Sequence, residues 1–236
     1  MGGTMAPKTS TNRLISRLSS QDLAFLAPNL EAVDLPRRRR IEPRNKTIEH
    51  IYFIESGFAS VVANGVGDRE VEIGLIGREG MSGLASLMVA DSSPLDTYMQ
   101  MAGHGLRIHA KALREALGHR PSLYRAFLRY GHAFVIQTAY TALANARCRV
   151  EERLGRWLLM AHDRIDGDEV AITHEFLGIM LGVRRPGVTV ALNLLERHGL
   201  IKSARGLVSI VDRDGLIATA NGSYGAPEAE FQRLFG

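Results

Sequence analysis

The sequence predicts an α+β chain: an N-terminal antiparallel β-roll of the jelly-roll type, one long helix, and a C-terminal winged helix-turn-helix. Three observations predict it. Short β-prone runs recur between glycines from residue 30 to residue 112. An unbroken helical pattern then runs from Pro121 to about Arg147. Finally, Ile172–Val211 reads as helix, tight turn, helix and two-stranded hairpin.

In chain order, residues 1–11 (MGGTMAPKTST) lack the apolar core of a signal peptide and are expected to form a short disordered leader. Residues 12–120 form the β-roll region, with helices expected over 12–27. There Ser19 and Asp22 are spaced as a capping box ahead of Leu23, Phe25 and Leu26. Strands are predicted at His50–Ile54, Phe58–Ala63, Glu70–Ile76, Thr97–Met101 and Leu106–Ala110. In Glu70–Leu75 apolar residues alternate with polar ones, as in a strand with one buried face, and Asn64-Gly65 signals a hairpin. Strands this short and evenly spaced suit a sandwich or jelly-roll.

The long helix spans 121–148 in this reading and would extend roughly 40 Å. It is apolar or small over a wide arc: Phe127, Phe134, Val135, Ala139, Ala142 and Ala146 among others. Such an arc must be covered, by the chain's own β-roll or by a second copy of the helix. The candidate dimer interface is that set of six residues. Residues 149–220 form the winged helix-turn-helix, opening with the stripe Leu154, Trp157, Leu158 and Ala161, and 221–236 form a C-terminal tail.

Within the helix-turn-helix, Thr173 is a suitable N-cap, and Phe176, Leu177, Met180 and Leu181 recur at helical intervals. Gly182 follows where a short turn needs a positive φ, and Gly178 offers a close approach for the next helix. Val188, Leu192 and Leu195 form the second stripe, which ends at Gly199. Its first turn carries Arg184, Arg185 and Pro186; proline is tolerated there because the first helical N–H groups lack intrahelical partners. Around this helix Arg184, Arg185, Arg197, Lys202 and Arg205 face Glu196 alone, the local excess that phosphate binding needs. The partner this predicts is double-stranded DNA.

Composition is compatible with that partner. The chain has 236 residues, 45% of them hydrophobic, and a net charge of +4. Its single cysteine, Cys148, excludes a disulfide framework, and a reducing cytoplasm is the expected location. No apolar run approaches the ~20 residues of a membrane span, so no membrane partner is expected. No spaced metal ligands, phosphate-binding loop or nucleophile elbow is present, so no enzyme is predicted.

A β-roll, a long helix and a winged helix-turn-helix in this order resemble the Crp/Fnr family of bacterial transcription regulators. The resemblance covers about residues 14–215 and is most specific over Ile172–Ile201, where Leu181-Gly182-Val183-x-Arg185 and Gly199-Leu200-Ile201 follow the family's layout. It implies a homodimer paired through the long helix, two recognition helices on a near-palindromic operator, and RNA polymerase as a further partner. Arg185 falls on the family's base-reading arginine and could bridge guanine O6 and N7. Thr173 matches a position that often touches phosphate. Where the family often reads Ser-Arg-Glu-Thr, this chain has Arg184-Arg185-Pro186-Gly187, and a second base-reading arginine of some members falls near Val190. A different operator is therefore expected. The candidate DNA-contacting set is Thr173, Arg184, Arg185, Gly187, Val188, Thr189, Asn193, Lys202 and Arg205.

The effector region departs further. Cyclic-nucleotide-binding members use a glutamate for the ribose and an Arg-Ser or Arg-Thr pair for the phosphate. Here Leu84 stands near the glutamate position and Ser93-Pro94 near the pair, with no lysine or arginine between Met81 and Leu106. A phosphate buried without a cation loses its strongest hydrogen bonds. Cyclic AMP is therefore not the expected effector; the alternative is a cyclic-nucleotide-responsive regulator with a non-standard phosphate pocket, rescued by Arg78, Arg107 or a partner subunit. The candidate pocket is Arg78, Glu79, Gly83, Leu84 and Ser93. One cysteine cannot hold an iron–sulfur cluster, which needs about four. His50, His104, His109 and His132 leave haem open, and Cys148 beside Arg147 and Arg149 leaves a redox-sensitive thiol open against an inert one. No cofactor is predicted and the effector is unassigned. The run Arg37–Arg40 reads as a solvated loop or strand edge, or as a patch for DNA or an acidic partner.

Overall fold

The computed structural model describes residues 10–67 and 70–236. They fall into two compact units: residues up to 61 with 76–134, and residues 62–75 with 135–234.

The first unit opens with turns where the sequence suggested helix. Asn12 is wholly buried, and its side-chain amide donates to the carbonyls of Ile54 and Gly80, both at 2.8 Å. Its carbonyl oxygen accepts from the amides of Leu14 at 3.0 Å and Ile15 at 3.2 Å. A side chain that takes over backbone donors in this way competes with helix formation. Helix is therefore confined to α1, Ser20–Leu26, and a short 3-10 turn at Ala27–Asn29. Of the predicted leader, residues 1–9 lie outside the described residues, while Ser10 donates to the Glu55 carboxylate at 2.6 Å.

The capping residue is as expected: Ser19 Oγ accepts from the Asp22 amide at 3.1 Å. Asp22 itself is buried and accepts from Ser19 Oγ at 2.8 Å, Arg120 Nε at 2.8 Å and Ser122 Oγ at 2.9 Å. Burial alone would raise its carboxyl, but these hydrogen bonds and the Arg120 charge together hold it below the usual carboxylate range.

The strands are β1 (Glu31–Leu35), β2 (Arg40–Glu42), β3 (His50–Ile54), β4 (Phe58–Asn64) and β5 (Glu70–Ile76). After a short helix α2 (Leu84–Leu87) come β6 (Asp96–Met101) and β7 (Gly103–His109), then α3 (Ala110–His119) and α4 (Pro121–Arg147). One antiparallel sheet has the order β1-β7-β3, with Glu31 opposite Arg107 and His50 opposite His109. The other has the order β2-β6-β4-β5. The hairpin that Asn64-Gly65 signals joins β4 to β5 through residues 65–69, of which 68 and 69 lie outside the described residues. The core is built on Phe53, Phe58 and Phe127, with the Phe53 and Phe127 rings 5.7 Å apart. Arg37–Arg40 forms the turn into β2: Arg39 donates to the Asp34 carbonyl at 2.8 Å and lies 5.7 Å over the Tyr52 ring, and Arg40 is 3.8 Å from Asp96.

The second unit contains residues 62–75 of the hairpin, the later half of α4, and α5 (Val150–His162), β8 (Glu169–Val170), α6 (His174–Leu181), α7 (Arg185–Arg197), β9 (Ile201–Ala204) and β10 (Leu207–Ile210). It ends in α8 (Arg213–Thr219) and α9 (Ala226–Phe235), so the predicted tail is helical. A small sheet has the order β8-β10-β9. Leu154, Trp157, Leu177, Val188, Leu192, Leu195 and Leu216 form the core. Three polar ties cross it. Trp157 Nε1 donates to Glu72 at 2.8 Å, Gln137 Oε1 accepts from the Leu75 amide at 2.6 Å, and Arg156 Nε donates to the Ser223 carbonyl at 2.9 Å. Burial and the nearby Asp163 carboxylate push the Tyr224 phenol well above the usual tyrosine range. Among the described residues, no helix is long and apolar enough to cross a membrane.

Two carboxyls of the first unit have opposite signs in the stability balance. Glu42 is buried, and burial pushes it up despite hydrogen bonds from the Gly83 amide and Ser82. Its contribution is fully present below the ordinary glutamate value and is lost as pH rises through the raised value. Glu42→Gln should therefore raise the midpoint of thermal unfolding at pH 8, with the gain vanishing towards about pH 4.3. Asp22, held low, contributes above the ordinary aspartate value and loses its effect as pH falls. Asp22→Asn should lower the midpoint at pH 8, and the loss should shrink on acidification. Paired melting curves at several pH values check both.

Candidate nucleic-acid interface

The interface is built on how α6 ends and α7 begins. Thr173 caps α6, its Oγ1 accepting from the Phe176 amide at 3.3 Å. Gly182 ends the helix at φ +60°, where a Cβ would be strained. The Val183 amide closes back on the Gly178 carbonyl at 2.9 Å. A Cβ on Gly178 would lie 3.0 Å from the Val183 carbonyl oxygen and 4.0 Å from Val188. The glycine therefore serves the turn more than the crossing of the two helices.

A residue the sequence reading passed over holds this turn. Arg153 of α5 donates its guanidinium to the Leu181 carbonyl, at the end of α6. A cation there answers both an orphan carbonyl and the negative end of the helix dipole. Nothing in the local pattern of α5 announces it, because the partner lies 28 residues away. Arg153 also lines, with Arg184, Arg185, Glu175 and Glu70, a groove of about 1000 Å³ beside the turn.

α7 starts with Arg184 as N-cap, and no side chain caps its first amides. Arg185 and Pro186 occupy its first turn and both are exposed. Pro186 has no N–H and the Gly187 amide donates to the Arg184 carbonyl at 2.9 Å, so what this terminus offers an anion is the positive end of the helix dipole and the two arginine side chains. Asn193, Lys202 and Arg205 are exposed as well, the last at the tip of the wing. Glu196, the acid in this basic set, accepts from the Ser203 amide at 2.9 Å and so ties the wing to α7.

Three of the expected contacts are placed differently. Val188 has no exposed surface: it belongs to the stripe with Ala191, Leu192 and Leu195, so it packs the core and cannot meet DNA. Thr189 is half-buried, and its hydroxyl bonds the Arg185 carbonyl at 3.3 Å and His174 Nδ1 at 3.2 Å. Gly187 is half-buried against Val183.

On α4 the expected interface is also redrawn. Phe127 is 0% and Phe134 7% exposed, so both are spent on their own chain's core. By contrast Leu128, His132, Val135, Ala139, Ala142 and Ala146 are all exposed. Their spacing of four, three, four, three and four is that of a coiled-coil seam.

The expected effector residues are engaged by hydrogen bonds within the first unit. Gly83 caps α2, and its amide donates to Glu42 Oε1 at 2.6 Å. Glu79 accepts from the Gly77 amide at 3.1 Å, Ser93 Oγ from the Leu95 amide at 3.2 Å, and the Arg78 carbonyl from the Arg13 amide at 2.6 Å. Leu84 is the first residue of α2 and half-buried. Tyr130 of α4 lies so close over Gly80 that a Cβ there would collide with its hydroxyl. Of the histidines, His50 and His109 meet edge-on at 5.3 Å and His104 bonds Ser56 at 2.9 Å. Burial keeps His50 below the usual imidazole value. No group of three or more side chains able to hold a metal occurs among the described residues. Cys148 is half-buried between α4 and α5.

Residues 152–219 match the Crp-like helix-turn-helix domain family. No curated protein sequence matches the chain significantly. Solved structures resemble it over most of its length. A chain assigned to the crp/fnr family of transcriptional regulators, from Eubacterium rectale, aligns with a TM-score of 0.70 at 17% identity, covering 87% of this chain and 96% of that one. The c-di-GMP responsive global regulator CLP of Xanthomonas campestris aligns at 0.67 and 17%, covering 81% and 99%. A CRP-family transcriptional regulator of Thermus thermophilus aligns at 0.66 and 21%, covering 82% and 99%. The fold is thus shared across the β-roll, long helix and winged helix-turn-helix.

Arg153→Met, which keeps the stem but removes the guanidinium, should cost about 1.5–3 kcal/mol by leaving the Leu181 carbonyl unpaired. Denaturant unfolding checks the cost. Amide exchange in residues 181–188 should rise more than in α5 if the bond holds the turn.

Proposed function

We propose that this chain, a Crp/Fnr-family regulator by its fold and its Crp-like helix-turn-helix domain, is a homodimer that reads a near-palindromic duplex through α7. The observation that carries the reading is the uncapped, exposed start of α7, with Arg184 and Arg185 on it and Lys202 and Arg205 on the adjoining wing. Helix N-terminus and side chains together offer phosphate a positive end, and Arg185 can grip a guanine edge bidentately. The exposed seam along α4 supports pairing, because Leu128 and Val135 put apolar side chains into water within a set of six exposed residues at coiled-coil spacing. The two-fold then sets half-sites about one helical turn apart. Thr173 is the phosphate contact beside α7, and Asn193 is the further base contact. A duplex-DNA target goes with a cytoplasmic location, and RNA polymerase is the further partner that the family resemblance implies.

Cyclic AMP is not the effector in this reading. The stretch from Met81 to Leu106 has no cation, and the Gly83 amide is already taken by Glu42. Isothermal titration with cyclic AMP and cyclic GMP tests this: no heat of binding is expected for either, and a saturable exchange with micromolar affinity overturns it.

Two variants test the main reading by fluorescence anisotropy on an operator enriched from random duplexes. Arg185→Ala should lose about 1–3 kcal/mol of specific binding and relax the preference at one guanine per half-site. Lys202→Ala should instead weaken all sequences alike and flatten the salt dependence by about one unit. Val135→Glu should give monomers by sedimentation and lose specific binding. If the wild-type protein shows no sequence preference at moderate salt, the reading is wrong.

A further inference from the structure

One side chain of α7 is not explained by phosphate binding or by packing. Val190 is 68% exposed, although the apolar neighbours on its helix, Val188, Ala191, Leu192 and Leu195, are exposed by at most 2%. It lies four residues after Pro186 and three before Asn193, so these three share one outward face, and Arg185 precedes it by five residues. Resting on the DNA-reading role proposed above, this face would enter the major groove, and Val190 would stand near the base that Arg185 contacts.

A valine there can neither donate nor accept a hydrogen bond. Opposite adenine, guanine or cytosine it would strip water from polar edge atoms and return nothing. Thymine alone presents an apolar group in the major groove, its 5-methyl. Pro186 widens the apolar face on one side, and the Thr189 hydroxyl is already engaged with Arg185 and His174, so it does not compete for the base edge. We infer that Val190 is a specificity-determining residue that reads the methyl group of one thymine per half-site, near the guanine read by Arg185.

Deoxyuridine tests this directly, because it keeps thymine's hydrogen-bonding edge and lacks only the methyl. The operator is first enriched with the full-length protein, and each thymine is then replaced in turn by deoxyuridine. For the wild type, one replacement per half-site should cost about three- to tenfold in affinity, the scale of one buried methyl. Val190→Ala should lose that sensitivity, binding thymine and deoxyuridine alike at this step, while still requiring the guanine. The exposed site makes the variant safe to fold. A preferred operator in which no replacement separates wild type from Val190→Ala overturns the inference and leaves the DNA-reading role intact. Enrichment that yields no preferred sequence overturns both.

Discussion

The position of α7 is set by the way α6 stops. A helix end leaves its last carbonyls without partners, and here one of them is answered by Arg153 and another by the amide that follows the left-handed Gly182. That pair of contacts fixes the direction in which the chain re-enters helix at Arg185. Because Arg153 sits in α5, the same contact joins the first helix of the module to the turn of the helix pair. Val188, Leu192 and Leu195 then bury one side of α7, and what remains outside is decided by the 3.6-residue period: Arg185, Pro186, Val190, Asn193. The outward face is therefore a by-product of core packing. A change in the core stripe would rotate it, whereas a change on the face would leave the fold alone.

The wing is tied to α7 through an acid. Glu196 keeps its negative charge while one of its oxygens accepts from the Ser203 amide, which anchors the wing. Exposed Arg184, Arg185, Arg197, Lys202 and Arg205 outnumber it in this neighbourhood. A surface of this composition keeps a net positive face without depending on the modest +4 of the whole chain.

The helix-turn-helix was legible in the sequence because its landmarks are local. A cap at Thr173, a positive-φ glycine at 182 and two apolar stripes lie within 30 residues, and each has a residue type that only one backbone state suits. The β-roll was legible from spacing, yet β1 and β2 went unseen, since Glu31–Leu35 breaks the apolar-polar alternation and Arg40–Glu42 is only three residues long. The turns tied by Asn12 were missed because they depend on polar contacts made at a distance, as Asn12 with Gly80, whereas the helical tail α9 was missed although its start is local, with Pro227 in the first turn and Glu228 accepting from the Gly225 amide. Val188 shows a different failure. It satisfied both the stripe and the neighbourhood of the contacts, and only burial could separate the two.

α4 carries the same lesson further. Sequence showed an apolar arc too wide for one partner, but could not apportion it. In the folded chain the aromatics turn inward, Phe127 onto Phe53 and Tyr130 over Gly80, and the small or branched residues are left outside at regular spacing. Large rings are the groups that lose most by facing water, so they take the positions against the core. Alanines at 139, 142 and 146 bury little in either place, so they do not decide which side turns inward. Leu128, Val135 and Leu143 stay exposed while Ala133 and Ala144 are buried, so the sorting follows where Phe53 and Gly80 receive the rings and not the size of each side chain.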